Sequence, residues 1–248
     1  MSRVAGPVLN VMRRELAGYF STPVAWVFIV IFLVMAGVFA FYIGSFYDRG
    51  IADLDPFFTF HPWLYLFLVP AIAMRLWAEE RRSGTVELLL TLPLTTWQAV
   101  LGKFLAAWLF IGLALLLTFP VWLTVNYLGA PDNGVIVAGY VGSWLMAGGF
   151  LAIGSCMSAL TRNQVVAFIL SVVVCFGFLL SGLPMVTDLF SGWAPQALLD
   201  TIADFSFLAH FATISRGVID LRDLVYFALV ITFWLLANTI VLEMKKAS

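Results

Sequence analysis

Apolar residues in this chain neither alternate nor form a one-sided stripe; they continue through long uninterrupted runs, and polar residues collect in the gaps between them. A helix needs about 20 mostly apolar residues to cross a hydrocarbon core about 30 Å thick. Six runs meet that requirement: Val24 to Phe46, Phe57 to Leu76, Thr96 to Tyr127, Ile136 to Leu160, Gln164 to Leu183 and Leu224 to Leu242. The third is the longest, and at about 1.5 Å per residue it is expected to protrude from the bilayer with Lys103 at or below the inner surface. Pro70 and Pro120 fall inside spans, where kinks are tolerated when neighbouring groups satisfy the freed carbonyls. The first run is too long for a cleaved signal and no small-residue cleavage site follows it, so it reads as a retained helix.

The gaps carry the remaining pattern. Before the first span, Val8, Met12, Leu16 and Tyr19 recur at helical spacing, with Val11 and Phe20 beside them and Arg13 and Arg14 on another face. That spacing predicts an amphipathic helix lying along the inner surface, the alternative being a charged leader that only sets topology. Between the second and third spans, residues 77–93 read WAEERRSGTVELLLTLP. Placing Glu79, Glu80, Arg81 and Arg82 at the membrane centre would cost on the order of 10 kcal/mol, so the segment is assigned to water.

A stop signal needs only charge, whereas this loop is also bounded. Gly84 can end the helix leaving the second span, the stretch after it offers a short helix with Glu87 near its positive end, and Pro93 stops it. Thr95 and Gln98 then have the spacing of a capping box that opens the third span. Leu88, Leu89, Leu90 and Leu92, exposed on a polar side of the membrane, call for a docking partner. The segment from residue 184 to 223 mixes Asp188, Asp200, Asp204, Asp220 and Asp223 with Phe205, Phe207 and Phe211, and predicts one or two amphipathic helices at the outer mouth. His210 within it reads as a capped or packed histidine.

Composition supports the membrane reading. The 248 residues are 62% hydrophobic and 11% charged, less than half of the roughly 25% charge of an ordinary soluble domain. The net charge of -1 gives no reason to expect nucleic acid. With the amino terminus inside, Arg3, Arg13, Arg14, Arg75, Arg81, Arg82, Lys103, Arg162, Lys245 and Lys246 share one side, and only Arg49, Arg216 and Arg222 the other. The positive-inside rule therefore places both termini and the charged loop in the cytoplasm. Cys156 and Cys175 lie inside apolar runs and read as small packing residues. In the fourth span, Gly139, Ser143 and Ala147 share one four-residue spacing and Gly148 and Ala152 another; such a face suits packing within the subunit, a subunit interface or the wall of a pathway.

Residues 79–106, EERRSGTVELLLTLPLTTWQAVLGKFLA, resemble the signature of ABC-2-type transporter permeases: an acidic residue, Gly-Thr-x-Glu, a leucine run, proline, and Gly-Lys opening the third span. Residues 13–23, 158–164 and 215–227 extend the resemblance over nearly the whole chain, nearest to the gliding-motility-associated class. The resemblance implies an all-α integral membrane protein of six helices forming a single permease domain over residues 1–248. Within it are an amino-terminal elbow helix (1–23), a cytoplasmic coupling helix in the loop 77–95, and outer re-entrant or amphipathic helices in 184–223. It implies that Glu79, Glu80, Gly84, Thr85, Glu87 and Pro93 couple to an ABC ATPase subunit, which the elbow with Arg13, Arg14 and Glu15 also touches. It implies a second permease copy or paralogue, an inner-membrane location and export, with a periplasmic-type accessory protein as a further partner.

The chain contains no G-x-x-x-x-G-K-[ST], because Gly102-Lys103 is followed by Phe104 and has Trp97 where the first glycine belongs. It is therefore read as a non-enzymatic subunit that binds no cofactor, with ATP and Mg on the partner ATPase. Three competing readings fit less well. An intramembrane serine protease using Ser155 or Ser181 would need a histidine base at membrane depth, and a haem subunit would need facing histidines within spans, whereas His61 and His210 lie at a span start and in the outer segment. An ion-driven carrier would want charged groups at mid-membrane, and the spans carry essentially none between their ends.

Overall fold

The chain's apolar runs are long enough to satisfy their own backbone hydrogen bonds, which in lipid only a helix or a closed barrel can do. The computed structural model describes residues 2–84, 94–183, 185–186 and 201–246, and all regular structure among the described residues is helical. The elements are α1 (Ser2–Phe20), α2 (Pro23–Gly37) continuing into a π-helical stretch (Val38–Ile43), α3 (Asp55–Thr59), α4 (His61–Ala73), α5 (Arg75–Ser83), α6 (Thr96–Leu116), α7 (Phe119–Leu128), α8 (Asn133–Leu160), α9 (Gln164–Leu180), α10 (Phe207–Ser215) and α11 (Leu221–Lys246).

By length and composition, four stretches among the described residues can cross a membrane: Pro23–Ile43, Thr96–Leu128, Asn133–Leu160 and Leu221–Lys245. α9 is apolar but has only 17 residues. The expected second span is not one helix; it breaks at Phe60 and again at Met74, giving α3, α4 and α5. Proline is the cause at the first break, because Pro56 and Pro62 lack an N–H and each sits at the start of a new helix. The expected third span breaks too, at Leu117–Thr118 ahead of Pro120. There the Thr118 amide and hydroxyl both donate to the Leu115 carbonyl, at 3.1 and 2.6 Å, and the hydroxyl meets the Tyr140 hydroxyl at 2.9 Å.

α8 is the axis of the fold, with α4, α6, α9, α10 and α11 packed around it. Its small residues make this possible. A Cβ added at Gly139 would lie 2.5 Å from the Phe58 ring, and one at Gly154 would lie 2.5 Å from the Ala73 Cβ. The Ser143 hydroxyl meets the buried Tyr65 hydroxyl at 2.8 Å. The small-residue face thus serves packing within the subunit. Trp108 of α6 and Trp144 of α8 stack at 4.2 Å, each indole donating to the other residue's carbonyl. Cys156 and Cys175 are buried free thiols, as expected.

The segment before the last run does form a helix, α10, whose Phe207, His210, Phe211 and Ile214 face inward at helical spacing while Ser206 caps its amino end. Residues 184 and 187–200 of that segment lie outside the described residues.

Candidate functional site

The polar residues that the sequence isolates between the second and third runs come together with the amino-terminal helix at one end of the bundle. α5 leaves α4 through the break at Met74, which has no capping side chain of its own. The missing cap comes from another helix. The Ser158 hydroxyl of α8 donates to the Met74 carbonyl at 2.8 Å, and its oxygen accepts the amide protons of Trp77 at 3.1 Å and Ala78 at 3.0 Å. The first turn of any helix leaves such donors without partners, and Ser158 satisfies two of them in trans. Beside it the Trp77 indole donates to Ser155 Oγ at 3.2 Å, and Asn238 Nδ2 of α11 donates to the same oxygen at 2.7 Å. α5 is therefore fastened to α8 and, through Ser155, to α11.

α1 arrives from the other side. Its inward positions include Val8 and Val11, both buried, and it lies against α6, where a Cβ on Gly102 would come within 2.8 Å of the Val11 side chain. Glu15 lies on the same inward side, and the reason is Lys103. The Lys103 ammonium is 3.1 Å from Glu15 Oε2 and 2.7 Å from Glu80 Oε1, and stands 5.4 Å from the centre of the Trp77 ring. Lys103 is only 2% exposed, an environment that is costly for an ammonium unless it is paired and hydrogen-bonded. Two carboxylates and an aromatic face meet that condition. One buried cation thus ties α1, α5 and α6 together.

The surrounding charges complete the knot. Arg14 reaches Glu15 at 2.8 Å from the exposed side, and Arg75 holds Glu79 across one turn at 2.9 Å. Burial pushes the Glu15 carboxyl up, but Lys103 and Arg14 outweigh it and hold the group below its ordinary value. Arg81 donates to the Ala159 carbonyl and Lys245 to that of Leu160, so two cations cover the carboxyl-terminal carbonyls of α8, the negative end of its dipole. Burial, with Arg162 nearby, holds the Arg81 guanidinium below its usual value.

These positions refine the expectations from sequence. Gly84 ends α5 in the left-handed conformation, φ 74°, which glycine adopts without strain, and among the described residues nothing lies within 4 Å of an added Cβ there. Thr95 and Gln98 form the expected capping box. Glu80 pairs with Lys103, whose ammonium is buried among protein side chains, a contact that the expected positions of the two residues relative to the bilayer did not reveal. Arg13 and Arg14 are exposed, as their face predicted, whereas Glu15 turns inward. Thr85, Glu87 and Pro93 lie outside the described residues. Ser155 and Ser158, which meet α5, and Asn238, which meets Ser155, are marked in the sequence only as polar residues inside apolar runs.

The Ser155 surroundings also bear on the protease reading: its oxygen accepts from Trp77 and Asn238, and among the described residues no histidine is bonded to it. His61 lies instead among Phe32, Phe57, Phe58 and Tyr65.

Comparison with known proteins matches the family described as ABC-2 family transporter protein over residues 9–242. Among curated proteins none matches the chain. The match spans nearly the whole chain, and the charged knot lies at the base of an all-helical bundle within it: the chain belongs to the ABC-2 transporter family, as a membrane component of an ABC transporter whose ATPase is a separate partner.

Proposed function

We propose that the chain is a six-helix permease that converts ATP hydrolysis by a separate ABC ATPase into export across the inner membrane. α9 supplies one span and the broken α3–α5 segment another, beside the four long ones. Both termini and residues 77–95 face the cytoplasm, where Glu79, Glu80, Gly84, Thr85, Glu87 and Pro93 form the coupling segment and α1, with Arg13, Arg14 and Glu15, the elbow. A second permease copy or a paralogue completes the membrane half, a periplasmic-type accessory protein is a further partner, and ATP with Mg stays on the ATPase. Within the family, the segments at 13–23, 158–164 and 215–227 favour the gliding-motility-associated class.

The observation that carries this reading is the attachment of Lys103 to both Glu15 and Glu80. A force applied to the end of α5 reaches α6 through that ion pair, and reaches α8 and α11 through Ser158 and Ser155. A loop that served only as a topological stop would not need its stem bonded to α6 and α8 and, through Ser155, linked to α11. Deleting residues 84–92 is expected to abolish co-purification with the ATPase and permease-dependent ATP hydrolysis. Unchanged association and hydrolysis in the deletion variant would overturn the proposal.

A further inference from the structure

Between α1, α2, α4 and the stem of α5 lies a groove of about 410 Å³, within the range of about 300–1,000 Å³ typical of small-ligand sites. Its two ends differ in chemistry. One is walled by Val27, Phe28 and Ile31 of α2 and Leu68 and Ala71 of α4; the other reaches the charged knot, where Arg75 and Glu79 form the accessible rim. Val27 is 55% exposed and Ile31 is 43% exposed, so the apolar wall opens sideways into the surroundings of α2.

We infer that this groove binds a zwitterionic phospholipid, its acyl chain between α2 and α4 and its head on the Arg75–Glu79 rim. The commitment to a zwitterion comes from charge. The charged lining of the groove is Arg75 and Lys103 against Glu15, Glu79 and Glu80, with no excess of positive charge, and Lys103 is taken up by Glu15 and Glu80 while the Arg75–Glu79 pair stands at the open rim. A head carrying one ammonium and one phosphate adds no net charge to that lining and offers a partner to each member of the rim pair, the ammonium meeting Glu79 and the phosphate Arg75. An anionic head finds no net positive charge there and is served better by Arg81, Arg162 and Lys245 at the end of α8. A second copy of the chain is a poor occupant, because its α2 carries no charged residue from Pro23 to Ile43 and leaves the rim unanswered. The assignment of the groove to the cytoplasmic leaflet rests on the orientation proposed above; binding does not.

The test uses the full chain in nanodiscs of equal phosphatidylethanolamine and phosphatidylglycerol without ATP, followed by mild extraction and native mass spectrometry of retained lipid. Phosphatidylethanolamine is expected to be retained in preference. Ala71→Phe, which fills the groove, and Ile31→Trp, which blocks it from the open side without entering the core, should each remove that preference. Glu79→Gln should weaken retention by no more than about fivefold, since a half-exposed ion pair is screened by water. Equal or greater retention of phosphatidylglycerol, insensitivity to both blocking variants, or spontaneous disulfide linkage of two copies through Val27→Cys would overturn the inference. Because no ATPase takes part, the outcome is independent of whether the coupling proposal survives.

Discussion

Two polar clusters stand at different places in the bundle. At the charged base, Lys103 joins Glu15 and Glu80, which are 88 and 23 positions away in sequence and belong to different helices. In the other cluster, His210 Nδ1 lies 2.6 Å from Asp223 Oδ1 and Nε2 lies 2.9 Å from the Asp204 carbonyl, with the ring stacked on Tyr226 at 3.8 Å. An aromatic ring stands beside each, Trp77 at Lys103 and Tyr226 at His210. The difference is reach: the His210 cluster joins α10 to the helix that follows it, whereas the Lys103 cluster joins the successive helices α5 and α6 to α1, which lies far from both along the chain. The first fixes a local corner, and the second is built so that movement of one helix is felt by the others.

Lys103→Met is the strongest test of this contrast. It removes the only cation between Glu15 and Glu80 among the described residues, and breaking a buried ion pair costs about 3–5 kcal/mol when the remaining charge stays buried. Both carboxylates here retain some access to water, so the lower part of that range is expected. The readouts are a fall in thermal unfolding temperature and loss of permease-dependent ATP hydrolysis, with ATPase association retained. If hydrolysis remained coupled, the knot would be structural only.

Ser158→Ala comes next. It leaves two amide donors and one carbonyl at the α4–α5 break without their partner, and losing a cap costs about 1–2 kcal/mol. Faster hydrogen exchange confined to α5 is the expected signature; uniform loss of protection across the bundle would point to global destabilisation and away from a local hinge.

Asp223→Asn sharpens the comparison from the other side. Replacing the carboxylate by an amide of nearly the same shape should lower stability by about 1 kcal/mol and leave permease-dependent hydrolysis at its normal rate. Equal uncoupling by Asp223→Asn and Lys103→Met would abolish the distinction between the two clusters.

The smallest effect is that of pH. The Glu15 carboxyl is held below its ordinary value of 4.5, so its contribution is complete above that value and is lost as pH falls through the lower native one. The seat of α1 on α6 should loosen only below about pH 4.5, seen as increased accessibility of a cysteine at Val11. Loosening on the alkaline side would contradict the sign of this linkage.

How much of this was legible in the sequence follows from how each interaction depends on distance along the chain. The Thr95–Gln98 box, the Gly84 stop and the break ahead of Pro120 are set within a few residues, and local chemistry declares them, whereas Pro70 lies inside α4 and the breaks at Phe60 and Met74 were not expected. The amphipathic face of α1 was also legible, but not that Glu15 on that face would oppose Lys103. Ser158, Ser155 and Asn238 looked like isolated polar residues in apolar runs because their partners, Met74, Trp77 and Ala78 for the serines and Ser155 for Asn238, lie some 80 residues away.

The sequence by itself determined that the protein is a bundle of apolar helices with a charged, bounded loop between two of them, because burial of charge in hydrocarbon is prohibitive and helix ends carry local signals. It could not determine which charges remain in water and which go inside. That was decided by tertiary structure: an ammonium is tolerated in the interior only where two carboxylates from separate helices converge on it, and convergence is a property of packing around α8.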